Sequence, residues 1–329
     1  MNSTVGAAIS VVLICPHGFA AQRGTLACLR QQTIRDRIEV ILVAPSLDGL
    51  GVEAACLEPF AGFKVVEVGM IRCIGEAYAA GVRAASAGLV AAGEDHSYPK
   101  ADWAETLVRA HQQPWAAVGP LIVNRNRRNM VGWADYFLTY GPWSDSRKAG
   151  EMEHLPGHNS SYKRAVLLEY GDRLGGMMQN ESLLHWDLRR RGYRLLFEPA
   201  AQTFHMCIGR LRSWIPTVAS GGRAFASYRQ KIEGWSWLRR IAFVMASPLV
   251  PVIRLRRALR QVRDCQDGPA VRQVAPLLAF AMLLDAAGQA VGCAFGPGSS
   301  PATLIRYEFH REEDMGPQKT EMMVTASNG

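Results

Sequence analysis

Short apolar runs rich in β-branched residues recur through the first third of the chain, separated by stretches with helical composition. Ile9-Ser-Val-Val-Leu-Ile14 is halted by Pro16 and Gly18, a helix is predicted over Thr25–Gln32, and Ile38-Glu-Val-Ile-Leu-Val43 is a second such run ending at Pro45. Phe63–Val68, Leu89–Ala92 and Ala116–Val123 repeat the strand pattern around helices predicted at Gly75–Ala87 and Ala101–His111. Continuous apolar strands are covered on both faces, and their alternation with helices dictates a mainly parallel sheet with helices on each side. In such sheets the ligand crevice lies beyond the carboxyl ends of the strands. Glu94-Asp95-His96 follows Leu89–Ala92 at one of these ends and reads as an exposed turn.

Further on, Leu155–Arg164 reads as a loop leading to a helix near Ala165–Tyr170. Leu184 and Leu188 share one face of a helix over Glu181–Arg191, which Gly192 ends, and Tyr193–Phe197 restarts a strand. The character changes after Gly209. The whole chain carries 37 − 29 = +8, and residues 1–208 are nearly balanced at 21 basic and 20 acidic side chains. Gly209–Arg263 instead holds 12 Lys/Arg against the single acid Glu233. Trp214, Tyr228, Trp235 and Trp237 interleave with these cations, a combination that suits an anionic lipid surface. A nucleic-acid surface uses the same residue types, but the uncharged run Ile241–Ile253 and the 22-residue run Val274–Phe295 have no use there, so no nucleic acid is expected. Val274–Phe295 is long enough to span a bilayer, yet Asp285 near its middle costs about 2.5–3.5 kcal/mol on insertion scales. A soluble helical core remains the other reading of this segment.

These features predict an α/β domain over 1–208, a basic, apolar helical appendage over 209–300, and a mobile tail over 301–329. Apolar residues at 48% supply a sizeable core and exclude global disorder. The seven cysteines include no C-x-x-C pair, which excludes a zinc ribbon and points to a reducing cytosol. No Lys or Arg precedes Arg23, so the apolar stretch Val5–Cys15 is expected to be a strand and not a secretory leader.

Three features offer chemistry, each beside a plainer alternative. Glu94-Asp95-His96 is rich enough in ligand atoms to hold a divalent cation, or it is an acidic cap for the helix at Ala101–His111. Glu181 opens a helix, where any acid is favoured by the helix dipole. His205 is either a ligand or a satisfied core histidine.

Taken in order, these motifs resemble the family 2 inverting glycosyltransferases over roughly residues 8–206. The resemblance is carried by Gln32-Thr33 between the first two strands and by Glu94-Asp95-His96 followed by Pro99 and Trp103. Gly157-His158-Asn159-Ser160-Ser161-Tyr162-Lys163-Arg164, then Asn180-Glu181 and Gly192-Tyr193, continue it. It implies the GT-A fold, a Rossmann-like mixed, mainly parallel sheet with helices on both faces. It also implies a nucleotide-sugar donor and a divalent metal, Mn²⁺ or Mg²⁺. On this likeness Pro16, Asp48, Glu94 and Asp95 lie on the nucleotide side, and Glu94, His96 and His205 hold the metal. An imidazole ligand favours Mn²⁺ over the harder Mg²⁺. Glu181 is then the base, and His158, Asn159 and Trp186 face the acceptor. The sequence departs from the family at Ala44-Pro45-Ser46, where aspartates usually end the second strand. With the appendage, the likeness implies an enzyme of polysaccharide biosynthesis at the cytoplasmic face of the cell membrane, acting on a lipid-linked or cell-surface glycan. The competing reading is a non-catalytic GT-A-like scaffold that binds a glycan or partner at the membrane.

Overall fold

The computed structural model describes residues 6–144 and 149–309. In chain order its elements begin with β1 (Ile9–Ile14), α1 (Arg23–Arg30), β2 (Ile38–Ala44), α2 (Ala54–Leu57), β3 (Gly62–Glu67), α3 (Ile74–Ala84) and β4 (Leu89–Ala92). Next come β5 (Ser97–Pro99), α4 (Trp103–Ala110), β6 (Ala117–Asn124), α5 (Met130–Thr139), β7 (Gly150–Glu151), β8 (Ser161–Lys163) and α6 (Arg164–Leu168). The rest are α7 (Leu174–Met178), α8 (Glu181–Arg190), β9 (Leu195–His205), α9 (Leu211–Ile232), α10 (Trp237–Ala246), α11 (Val250–Asp264), α12 (Val271–Phe295) and α13 (Ser300–Phe309).

Among the described residues one sheet runs in the order β3-β2-β1-β4-β8-β6-β9-β5, with β7 beside β9. The first four strands are parallel, with Val11 opposite Val40 and Ala91. Beyond β4 the pairings β4–β8, β6–β8, β5–β9 and β7–β9 are antiparallel. The fold is therefore a mixed α/β sheet, as expected from the sequence, with the parallel character confined to its first half. β1 and β2 are wholly buried, as their uninterrupted apolar runs require. Glu39 is the exception within β2. Ser10, the Ser86 hydroxyl and backbone N–H, and Lys64 all reach its carboxylate. Burial pushes that carboxyl up, and these hydrogen bonds more than reverse it, to about 2.

Three local expectations change. Ser161–Lys163 is a strand and not loop, because a three-residue run between β4 and β6 is too short to show a period. β9 continues unbroken through Glu198-Pro199 to His205, so this histidine ends a strand. Ser300–Phe309 is helical where a mobile tail was expected to start, while residues 310–329 lie outside the described ones.

The chain divides into two compact units, one of residues 1–123 and 146–205, the other of residues 124–145 and 206–329. Residues 124–145 fall in the same unit as the residues from 206 onward. Polar side chains explain why. Asn126 pairs with the backbone of Cys207 through both its amide groups, at 2.8 and 3.1 Å. Asn129 caps α5 and also donates to Gly209, and Asp135 accepts from the Ile208 N–H and the Trp214 indole.

Candidate active site

The site is built at the carboxyl edge of the parallel strands of the first unit. β4 ends at Ala92, and Gly93 ties back to the Val12 carbonyl at 2.9 Å. The chain then turns through Glu94-Asp95-His96 into β5. Because β5 pairs antiparallel with the end of β9, Ser97 lies opposite His205. That register brings His205 to the turn from a point 109 residues further on in sequence. The Thr25 hydroxyl sits within hydrogen-bond distance of the Glu94 and Ser97 carbonyls, at 2.6 and 2.9 Å, and secures both sides of the turn. The helix α4 begins only after β5 and has Asp102 at its cap position, so Glu94-Asp95-His96 does not cap it.

Glu94 is the hub, and it is buried, with its side chain only 3% exposed, contrary to the exposed turn expected. Oε2 accepts from the Ser97 hydroxyl at 2.6 Å and from the Asn159 amide at 3.1 Å. His96 Nε2 lies 3.6 Å from Oε1, and His205 Nε2 lies 3.6 Å from Oε2. Ligand atoms of Glu94, His96 and His205 all fall within 4.8 Å of one another. Atoms about 2.1 Å from one cation and about 90–110° apart stand about 3.0–3.4 Å from each other, so this donor set has close to a metal-binding spacing. The tautomer fits as well. Asp95 Oδ1 lies 2.6 Å from His96 Nδ1, and a carboxylate only accepts, so Nδ1 carries the proton and Nε2 keeps the lone pair a metal needs. Burial, with the Asp95 charge adding to it, pushes the Cys15 thiol up to about 12.

A second carboxylate stands on the loop side. Asn159 adopts a left-handed conformation, φ 64°, which asparagine tolerates better than most residues. Its N–H donates to Ala92 at 2.6 Å while its amide reaches Glu94. His158, one residue earlier, lies between two acids: Nδ1 is 3.3 Å from Glu94 Oε1, and Nε2 is 3.4 Å from Glu181 Oε1. Tyr78, whose hydroxyl donates to the Gly93 carbonyl at 2.6 Å, lies 3.4 Å from the same Nδ1. Glu181 is the first residue of α8, about a quarter exposed, and its carboxylate lies directly over Gly157. A methyl group at Gly157 would come within 2.4 Å of Glu181 Cδ.

The structure therefore gathers Glu94, Asp95, His96, His158, Asn159, Glu181 and His205 into one connected cluster. Trp186 is half-buried further along α8. Pro16 is half-buried just after β1, and Asp48 is exposed in the loop after β2, where its N–H is 3.0 Å from the Ser46 hydroxyl. Asn159, expected on the acceptor side, has its amide on Glu94. Sequence reading missed Thr25, Tyr78 and Ser97, and gave Gly157 no role beyond its place in the 157–164 motif. Gly157 carried a signal in the Leu-Pro-Gly-His-Asn run, since a glycine before polar residues often marks a close approach; Tyr78 lies in an Ala-rich helix and carried none.

No protein-family profile matches the sequence, and no curated protein is similar to it. Solved structures align with it in part. The structure of GalNAc-T7 with UDP, GalNAc and Mn²⁺ aligns at TM-score 0.47 and 16% identity, covering 60% of this chain and 44% of that one. S. aureus TarS aligns at 0.47 and 13%, covering 87% and 55%. S. aureus TarS 1–349 in complex with UDP aligns at 0.46 and 15%, covering 87% and 90%. The chain thus spans about half the length of the first two.

Proposed function

We propose that this chain is a metal-dependent inverting glycosyltransferase that takes a sugar from a nucleotide-sugar donor. The observation that carries the reading is the convergence of Glu94, His96 and His205 with the separate carboxylate of Glu181 at the carboxyl edge of the sheet. Glu94, His96 and His205 would hold a divalent cation, Mn²⁺ on the strength of the two imidazoles, and a cation there neutralises charge developing on a leaving diphosphate. Asp95 fixes the His96 tautomer, while Ser97 and Asn159 orient Glu94. Glu181, reachable from solvent, takes the proton of the acceptor hydroxyl. The acceptor in this reading is a lipid-linked or cell-surface glycan under construction. The basic, aromatic helices after Gly209 support a place at the cytoplasmic face of the cell membrane.

The test is a panel of nucleotide sugars, with and without Mn²⁺, read by thermal midpoint. A donor at about 100 times its Kd stabilises by about 2.7 kcal/mol, a shift of about 5–10 °C for a unit of this size. At least one donor should give that rise only with Mn²⁺, and His96→Ala and His205→Ala should abolish it. An equal Mn²⁺-dependent rise in both variants removes the metal assignment. A panel with neither a rise nor donor hydrolysis leaves the scaffold reading in its place.

Gly157→Ala tests the base from its support. The added methyl must push the Glu181 carboxylate aside, and a displacement near 1 Å can lower turnover by about 10²-fold. Donor binding with Mn²⁺ should persist. Parental turnover in this variant would show that Glu181 does not act from the position it holds here.

A further inference from the structure

The second unit presents an apolar face that no other described residue covers. Among its described helices, α10 has no buried residue. Trp237, Ile241 and Met245 recur at helical spacing along it, at 68%, 53% and 76% exposure, and Leu249, Val252 and Ile253 continue the stripe across the turn into α11. A single 3-10 turn, Ser247–Leu249, separates the two helices, and Pro251 sits in the first turn of α11, where no N–H is needed, so α11 follows α10 with little intervening chain. Phe243 and Val244, on the other side of α10, pack on the cluster of Ala226, Trp235 and Cys293 and hold α10 in place. A monomeric soluble domain rarely exposes so continuous an apolar stripe.

Charge surrounds this stripe. Arg240, Arg256, Arg257, Arg260 and Arg263 are exposed on the same two helices, whose only acid is Asp264. Other cations of this segment are used internally: Arg254 pairs with Asp285, Arg229 and Arg239 pair with Glu233, and Arg223 donates to the Gly296 carbonyl. The remaining cations beside exposed aromatic and aliphatic groups complement anionic headgroups over an acyl layer.

The long helix α12 cannot be treated as an independent span. Among the described residues one helix meets the length and hydropathy expected of a crossing segment, Val271–Phe295, but it is clamped to α9 by backbone contact. A Cβ at Gly288 would meet the Ala219 carbonyl at 2.2 Å, one at Gly292 the Arg223 carbonyl at 2.0 Å, and one at Gly222 the Asp285 carbonyl at 2.3 Å. The helix α9 carries Arg212, Arg223, Arg229 and Lys231 and no acid. Threading α12 through hydrocarbon would take Arg223, Asp285 and Arg254 with it, which is costly for each charge.

We propose that α10 and α11 lie in the plane of an anionic phospholipid bilayer, their exposed apolar residues entering the headgroup boundary, and that α12 stays on one side of the membrane. This rests on the membrane location proposed above and names the surface and mode of attachment. The test uses the full chain and vesicles of phosphatidylglycerol and phosphatidylcholine. Ile241→Glu with Met245→Glu should lower vesicle affinity by about tenfold or more, with thermal midpoint and Mn²⁺-dependent nucleotide binding as in the parent. Both side chains point outward, so the pair should fold. Cysteines introduced singly at Arg272 and Ala294, near the two ends of α12, should both react with an impermeant maleimide on vesicle-bound protein, above the parent's background. Protection of one end only would make α12 a span and overturn the in-plane mode. Vesicle binding unaffected by the glutamates would leave the membrane location standing and overturn the assigned surface. Failure of the parent to bind at all would remove the membrane location itself. If the glutamates dissociate a dimer in solution without changing vesicle binding, the stripe belongs to a second copy of the chain and the assignment is likewise overturned.

Discussion

Glu181→Gln is expected to lower glycosyl transfer by about 10²–10⁴-fold, equivalent to about 3–5 kcal/mol of transition-state stabilisation. Glutamine keeps the size of the side chain over Gly157 and can still meet His158 Nε2, 3.4 Å away in the parent, through its amide oxygen. It cannot accept the acceptor's proton. Glu181 is not among the Glu94, His96 and His205 donor set, so nucleotide binding with Mn²⁺ should remain parental. The alternative assigns Glu181 to its helix alone, as a first-turn acid on α8. An acid there contributes about 0.3–1 kcal/mol to stability, which would appear as a small fall in thermal midpoint and no fall in turnover. The two readings therefore separate on different measurements. Parental kcat in the glutamine variant would return Glu181 to the helix.

Much of this arrangement was legible because it depends on local sequence. The buried runs Ile9–Ile14 and Ile38–Val43 announced adjacent parallel strands, since a continuous apolar run has no exposed face to alternate with. Glu94-Asp95-His96 was visible as a strand-end cluster for the same reason. What escaped was set by register and by close approach. Nothing local shows that Ser97 pairs with His205, so the histidine could be ranked as a ligand only through the resemblance. Glu94 looked exposed because turns usually are; its burial comes from Thr25, Asn159 and β9, elements distant in sequence. The division at residue 124 was hidden likewise. Asn126, Asn129 and Asp135 look like loop and helix-surface residues, yet they bind the backbone and indole of residues 207–214, some 80 positions away.

The loop that carries His158 also links the site to acid stability. Leu155 N–H donates to His185 Nδ1 at 3.3 Å, so Nε2 carries the ring proton and donates to the Tyr162 hydroxyl at 2.9 Å. Burial holds His185 neutral, its pKa lowered to about 3, and holds His111, beside Ser161 at 2.9 Å, at about 4. In the unfolded chain both titrate near 6.5. Between about pH 6.5 and pH 4 the unfolded state therefore binds more protons, so stability falls as pH falls through this window. Each histidine adds a slope of up to about 1.4 kcal/mol per pH unit. The Glu39 carboxyl, near 2 in the fold and 4.5 outside it, extends the loss below pH 4.5. Denaturant titrations at pH 7 and pH 5 should thus differ by about 2–4 kcal/mol. His111→Gln should remove up to half of that difference, because an amide can replace the neutral ring's hydrogen bonds without titrating. Protonating His185 must break its bond from Leu155, since a charged ring has no acceptor nitrogen, and Leu155 begins the turn that places Gly157, His158 and Asn159. Loss of activity on acidification should consequently follow the unfolding curve. Equal stability at pH 7 and pH 5 would mean that these histidines are not held neutral in the core, and the support assigned to the 155–159 loop would fall with them.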